Sequence, residues 1–436
     1  MLKKVRLVSL SLMLVGAMLL TACGQDAATA VPPTSTTGAG STVDATATTG
    51  SGLEATAPAM GESPTAMTGG DAGEVIIGFA YVTSGDNAVY GNSQKAATQM
   101  AIDEINSAGD GPKITPIYED TAAKPDQAIS VFQKFINTDK VYAIIGPTLS
   151  NEARSADPEA QKAGVPVLAV SNTAGGITDI GDYIYRDSLA EFQVIPETIK
   201  QAKAKLGIQK VSIMYAKDDA FSKSGYDVFK AELEKNNIQI LSEQTFGTAD
   251  TDYRTQLTAI KGENPDAIVV SALANPAQTI MQQARNDVGI DPKVHIIGGN
   301  GFNSPAVVKA AGPAAEGLIV GAAWNLNAKD EMSRKFIENY NKANGKDPDQ
   351  FAAQAYAGVY IMYDAIKRAD ISGKSLPEAR TAIRDALKSV KVDTVLGSFT
   401  FTEKRDANHP PVVQIVKDGK FDLLEGAMMA EGTPTP

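Results

Sequence analysis

From Glu74 onward, short apolar runs alternate with longer stretches of helical period. The runs VIIGFA, ITPIYE, YAIIG, VPVLAV, VSIMY, AIVVS and VHIIG are rich in β-branched residues, and each is followed by a polar turn and a candidate helix. That alternation predicts parallel sheets covered by helices. Between Asn92 and Ile105, the residues Ala97, Met100, Ala101 and Ile105 recur at helical spacing, and Ala379, Ile383 and Leu387 do so between Pro377 and Val390. Both segments are expected to be helices facing a core. The roughly 350 residues after position 73 exceed what one hydrophobic core usually organises, so two α/β lobes are expected.

The residues before Glu74 follow a different pattern. Lys3, Lys4 and Arg6 precede an apolar run that ends in Leu20-Thr21-Ala22-Cys23, and Cys23 is the only cysteine. The run from Leu7 to Ala22 is shorter than the roughly 20 residues that span a bilayer as a helix, and small residues sit where a signal peptidase would cut. This arrangement resembles a bacterial lipoprotein signal with its lipobox. The resemblance implies that residues 1–22 are removed and that Cys23 carries the lipid anchor, with several acyl chains giving lasting attachment. Residues 24–73, rich in Thr, Ala, Gly, Ser and Pro and without Lys, Arg or an aromatic side chain, are expected to be a flexible tether. Such a coil spans roughly 40 Å end to end. Residues 425–436 are expected to be an untethered tail.

Composition narrows the function classes. Lys and Arg number 40 against 51 Asp and Glu, and the balance becomes more acidic once the three basic signal residues are gone. A chain of that charge repels nucleic acid and anionic surfaces. With Cys23 occupied there is no thiol left for a disulfide, so stability must come from packing.

Catalytic chemistry is poorly provided for. The two histidines are His295, in a predicted strand, and His409, before Pro410-Pro411. Neither position favours a catalytic triad or a metal site. Gly298-Gly299-Asn300-Gly301 follows a strand but lacks the spacing of a dinucleotide or phosphate loop. The pairs Glu119-Asp120 and Asp218-Asp219 lie at strand ends, where solvated acids are commoner than general acids or bases. No enzyme, cofactor or metal site is expected. Pro147-Thr148-Leu149-Ser150 and Ser171-Asn172-Thr173 follow strands at expected helix starts, where hydroxyls and unpaired N–H groups favour an anion. Simple N-capping by Ser150 and by Ser171 or Thr173 is the competing reading.

The order of motifs IIGFA, Val82-Thr83-Ser84-Gly85 with Tyr90-Gly91, MAIDEIN, YED, IIGP, KAGVPVLAVSNT, Tyr185-Arg186, DDAFSKSGYDVF, AEGLIV and VDTVLGSFTF resembles the leucine/isoleucine/valine-binding protein family, the type I periplasmic solute receptors of ABC importers. The resemblance runs from about residue 74 to about 424. It implies two Rossmann-like lobes joined by three crossovers near Asp187-Ser188, Ala322-Ala323-Trp324 and Val395-Leu396. Lobe 1 would comprise 74–188 plus 322–395, and lobe 2 would comprise 189–321 plus 396–424. A small-molecule ligand would bind between the lobes of a monomer, and hinge closure would present the receptor to an ABC permease and its ATPase. Placement at the outer face of the cell membrane follows from the lipid anchor. A sensory receptor on the same fold is the alternative.

Carried over by position, the resemblance assigns Ser150 to the ligand α-carboxylate, Ser171 to backbone contacts and Thr173 to both carboxylate and ammonium, with Tyr90 and Phe351 at aromatic-wall positions and Phe221 beside another. Core packing is the competing role for each ring. Trp324, the only tryptophan, lies at a crossover and is expected to be available for stacking on ligand. Where branched-chain amino-acid receptors place an acid against the ligand ammonium, this chain has Asn300, and Leu273 replaces a polar aromatic partner. The ligand class therefore stays open. One option is a branched-chain or related amino acid, with Asp187, Glu191, Asp218 or Asp219 reaching its ammonium. The other is an aromatic or aliphatic carboxylate, or an amide, that has no ammonium.

Overall fold

The computed structural model describes residues 73–424. The expected signal, Cys23, the tether up to residue 72 and the tail at 425–436 lie outside the described residues. Among the described residues, β1 (Glu74–Tyr81), β2 (Lys113–Asp120), β3 (Ala143–Ile145), β4 (Val167–Ala169) and β5 (Ile184–Arg186) form a parallel sheet in the order β2-β1-β3-β4-β5.

Strand β1 shows why its run is apolar throughout. Val75, Ile77, Phe79 and Tyr81 join one core with Ala97, Ala101 and Ile105 of α1 (Ala88–Ala108) and the buried face of α10 (Gln350–Ala369). Ala80 faces the opposite core, formed by Phe132 and Phe135 of α2 (Pro125–Asn137) and Ala153 and Ala156 of α3 (Ser150–Ala163). Between them, Gly78 lets the sheet meet α2 closely, since a Cβ there would lie 2.7 Å from the Phe135 ring. Strand β2 lies at the sheet edge, which is where its Pro116 is tolerated.

The second sheet follows the same logic. Its parallel strands are β6 (Lys210–Ala216), β7 (Gln239–Phe246), β8 (Ala267–Ser271), β9 (His295–Gly298) and β10 (Leu318–Ala322). Two antiparallel strands, β13 (Val412–Lys417) and β14 (Lys420–Leu423), extend it to the order β14-β13-β10-β9-β8-β6-β7. Ala267 and Val269 of β8 pack with α4 (Glu191–Leu206) and α5 (Ala220–Lys235). Ile268 and Val270 pack on the other face with α6 (Arg254–Glu263), α7 (Ala274–Gln282) and α8 (Pro305–Ala311).

The remaining elements are α9 (Glu331–Asn344), α11 (Leu376–Leu387) and the hairpin of β11 (Lys391–Thr394) with β12 (Gly397–Thr400). Helix α11 buries Ala379, Ile383 and Leu387, as its spacing predicts, and Ser375 with Glu378 caps its start.

The chain passes between lobes after Arg186 and again at Ala322–Trp324. The third passage differs from the expected Val395-Leu396. Phe399 and Ala407 belong to the core of the first lobe, and the Arg186 N–H donates to the Arg405 carbonyl at 3.0 Å. The hairpin therefore stays with the first sheet, and the chain leaves it between Ala407 and Val412.

Candidate functional site

A small cavity lies between the two lobes. Tyr90, Thr148, Leu149, Ser150, Ser171, Asn172, Thr173 and Phe351 line it from the first lobe. Phe221, Leu273, Asn300 and Gly301 face them from the second. Hydrogen bonds between lobes close the cleft over it: Tyr90 Oη donates to the Gly301 carbonyl at 2.6 Å, Asn151 Nδ2 donates to Asp219 Oδ1 at 2.9 Å, and the Gly175 N–H donates to Ser224 Oγ at 2.9 Å.

Each wall is built by local chemistry. Ser150 is the first residue of α3, with Leu149 in the capping position, and Glu152 Oε2 accepts from the Leu149 N–H at 3.0 Å. Ser150 Oγ instead accepts from the Ala174 N–H at 3.2 Å, which leaves its own hydrogen free to donate. The competing reading, that Ser150 serves as the helix cap, is therefore not met. A helix start at Ser171 or Thr173 is also absent among the described residues: both lie in a loop that continues to a short turn at Thr178–Ile180. Gly176 in that loop takes φ +79°, a left-handed conformation that ends any helical continuation.

The loop is held by a closed network. Ser171 Oγ donates to the Thr148 carbonyl at 2.7 Å and accepts from Gln94 Nε2 at 2.9 Å, while Thr148 Oγ1 donates to Gln94 Oε1 at 2.8 Å. Thr173 Oγ1 donates to Glu191 Oε1 at 2.7 Å. Glu191 is buried behind the cavity wall, and burial pushes its carboxyl up to about 7.

The rings sit at helix starts. Phe351 follows the Asp349 cap of α10, and Phe221 follows the Asp219 cap of α5. The Tyr90 and Phe351 ring centroids are 4.6 Å apart. Burial holds the Tyr90 hydroxyl well above its ordinary range, so it stays protonated and keeps its bond to Gly301. Gly301 permits the close turn, because a Cβ there would lie 2.2 Å from the Ala272 carbonyl oxygen.

Trp324 is not in the cavity. It packs edge-on against Phe336 in the first-lobe core, and Nε1 donates to Ser333 Oγ at 3.3 Å. A large apolar ring at a crossover serves packing once a buried hydroxyl satisfies its N–H. Asp218 bonds the backbone of Thr248, and Asp219 accepts from the Ser222 N–H at 2.8 Å. Neither lines the cavity, and neither do Asp187 or Glu191. His295 and His409 also lie elsewhere. Among the described residues no group of His, Cys, Asp and Glu is arranged to hold a metal ion, and no helix is long and apolar enough to cross a membrane.

Gln94 is a supporting residue that motif reading missed. Its signal is a polar side chain on the buried face of α1, four residues after Tyr90 and three before Ala97.

A family profile described as "Periplasmic binding protein" matches residues 74–420. The Leu/Ile/Val-binding protein of Escherichia coli (strain K12) is 25% identical over 337 residues, which cover 76% of this chain and 88% of that protein. Among solved structures, the branched-chain amino acid transporter substrate binding protein LivJ from Streptococcus pneumoniae, in complex with isoleucine, superposes with a TM-score of 0.73 at 28% identity, covering 80% of this chain and 98% of that one. A solute binding protein of an ABC transporter from Rhodopseudomonas palustris BisB5, in complex with 3,4-dihydroxy benzoic acid, gives 0.72 at 26% identity, covering 80% and 95%. These relatives bind solutes; they are not enzymes.

Proposed function

The chain belongs to the periplasmic binding protein family, and from that premise we propose that it is an extracytoplasmic solute-binding lipoprotein of an ABC importer. It captures a small carboxylate-bearing solute between its lobes by hinge closure. The observation that carries this reading is the interlobe cavity with the Ser150 hydroxyl, its hydrogen still free to donate, at the start of α3. Partial positive charge at a helix N-terminus and a spare O–H together suit a carboxylate. The relatives bound to isoleucine and to 3,4-dihydroxy benzoic acid both hold solutes of that class. The closed lobes present the surface a permease would read, with the ATPase acting through that permease, and hinge motion accounts for release.

Ser150→Ala tests the site. Loss of one charge-assisted hydrogen bond should weaken carboxylate binding by about 1–3 kcal/mol, roughly 5- to 150-fold, while leaving the fold intact. Titration calorimetry reads the change, and unaltered affinity would remove Ser150 from the site.

The lipid anchor at Cys23 rests on the Leu20-Thr21-Ala22-Cys23 sequence. Cys23→Ala should shift the protein from the membrane to the soluble fraction of its host. Retention in the membrane would refute the anchor.

A further inference from the structure

The hydrogen-bond polarity of Asn300 is set by a relay of amides anchored on backbone groups. The Ala323 N–H donates to Gln350 Oε1 at 3.0 Å, so Gln350 must turn its Nε2 toward Asn300 Oδ1. From the other side, the Asn327 N–H donates to Asn325 Oδ1 at 2.7 Å, Asn325 Nδ2 donates to Gln414 Oε1, and Gln414 Nε2 donates to Asn303 Oδ1 at 2.8 Å. Asn303 Nδ2 then donates to the Gly321 carbonyl at 2.7 Å and to Asn300 Oδ1 at 3.3 Å. Backbone N–H and C=O groups cannot reverse roles, so each amide in the relay has one orientation. Asn300 Oδ1 is occupied from behind, and Nδ2 is the part left to face the cavity.

The rest of the wall has the same bias. Ser150 offers a free hydrogen, and no carboxylate lines the cavity among the described residues. Asp187, Glu191, Asp219 and Asp349 all lie outside the lining, and the last three hold bonds of their own. Glu191 Oε1 accepts from Thr173 Oγ1, and both oxygens of Asp219 are bonded, to Asn151 Nδ2 and the Ser222 N–H. Asp349 Oδ1 accepts from Ser93 Oγ and the Ala352 N–H. An ammonium enclosed here would meet a donor at Asn300 and no counter-charge, which is strongly unfavourable.

We infer that the solute of this cavity is a carboxylate without an ammonium group, carrying instead a second acceptor, an oxo, hydroxyl or amide oxygen, that meets Asn300 Nδ2. The inference rests on the carboxylate reading of the site.

The test uses the intact purified protein, freed of co-purified solute, and pairs that share a skeleton but exchange the amine for an oxo group. The pairs are L-alanine with pyruvate, L-leucine with 4-methyl-2-oxopentanoate, and L-phenylalanine with phenylpyruvate. In the pair whose skeleton fits, the oxo acid should bind about tenfold or more tightly than the amino acid. Asn300→Asp keeps an acceptor for Gln350 and Asn303 while replacing the donor by an anion, and should reverse that order. Asn300→Ala, which removes the donor without adding charge, should weaken the oxo acid alone. Amino-acid binding equal to or tighter than the oxo acid in the wild type would overturn the inference and leave the carboxylate reading standing. Binding by neither member of any pair would overturn both.

Discussion

Asp406→Ala should destabilise the solute-free protein by about 3–5 kcal/mol, measured by urea denaturation. Arg186 is wholly buried, with Nε and Nη2 donating to Asp406 Oδ1 at 2.9 and 2.6 Å and Nη1 donating to the Ala174 carbonyl at 2.7 Å. The pair ties the end of β5 to the segment after β12, and so holds the first and third passages between lobes together. Truncating the aspartate leaves a buried guanidinium without a counter-charge, and most of the cost comes from that orphaned charge. Asp157 makes no hydrogen bond to Arg186, and burial holds its carboxyl well above the usual range. The double replacement Arg186→Met with Asp406→Leu should recover much of the loss, since an apolar pair leaves no charge unpaired. A cost below about 1 kcal/mol for Asp406→Ala would show that the guanidinium finds another partner.

The second large effect is a dependence on pH. Burial raises the Glu191 carboxyl from its ordinary value of 4.5 to about 7. Between these values the unfolded chain has released the proton and the folded protein still holds it. The unfolded state therefore binds fewer protons, and stability falls as pH rises through this window. The contribution is fully present below about pH 4.5, is lost progressively toward pH 7 and is constant above that. A carboxyl raised that far contributes roughly 3 kcal/mol.

Glu191→Gln keeps a hydrogen-bonding partner for Thr173 and does not titrate. The difference in unfolding free energy, wild type minus variant, should fall by about 3 kcal/mol between pH 4.5 and 7. Glu152, also raised to about 7 by burial, contributes equally to both proteins and cancels. His295 and His409, lowered by burial, act in the opposite sense and cancel as well. A flat difference would mean that Glu191 is ionised in the folded protein.

Much of the fold was legible because its signals are local. VIIGFA and AIVVS are apolar throughout because β1 and β8 are covered on both faces. The Ala379, Ile383 and Leu387 spacing reports one helical face wherever that helix docks. The candidate site was partly legible for the same reason, since Ser150, Ser171 and Thr173 follow strand ends at the mouth of a parallel sheet. Trp324 was misplaced because its neighbours in sequence do not show that Phe336 and Ser333 would enclose it. The third passage was misplaced because VDTVLG forms a hairpin whose sheet membership is decided by contacts of Phe399 and Ala407 with the first core.

By itself, the sequence determined the periodicity of the elements, the two α/β units and the residue types available at strand ends, all properties of neighbours along the chain. Tertiary structure alone decided which of those groups are still free to bind. Asn300 became a donor because Gln350, 50 residues away, and Asn303, itself oriented by Gln414 from 111 residues away, occupy its oxygen. A hydrogen-bonding group has few valences, and which one remains for a solute depends on partners that only folding brings within reach.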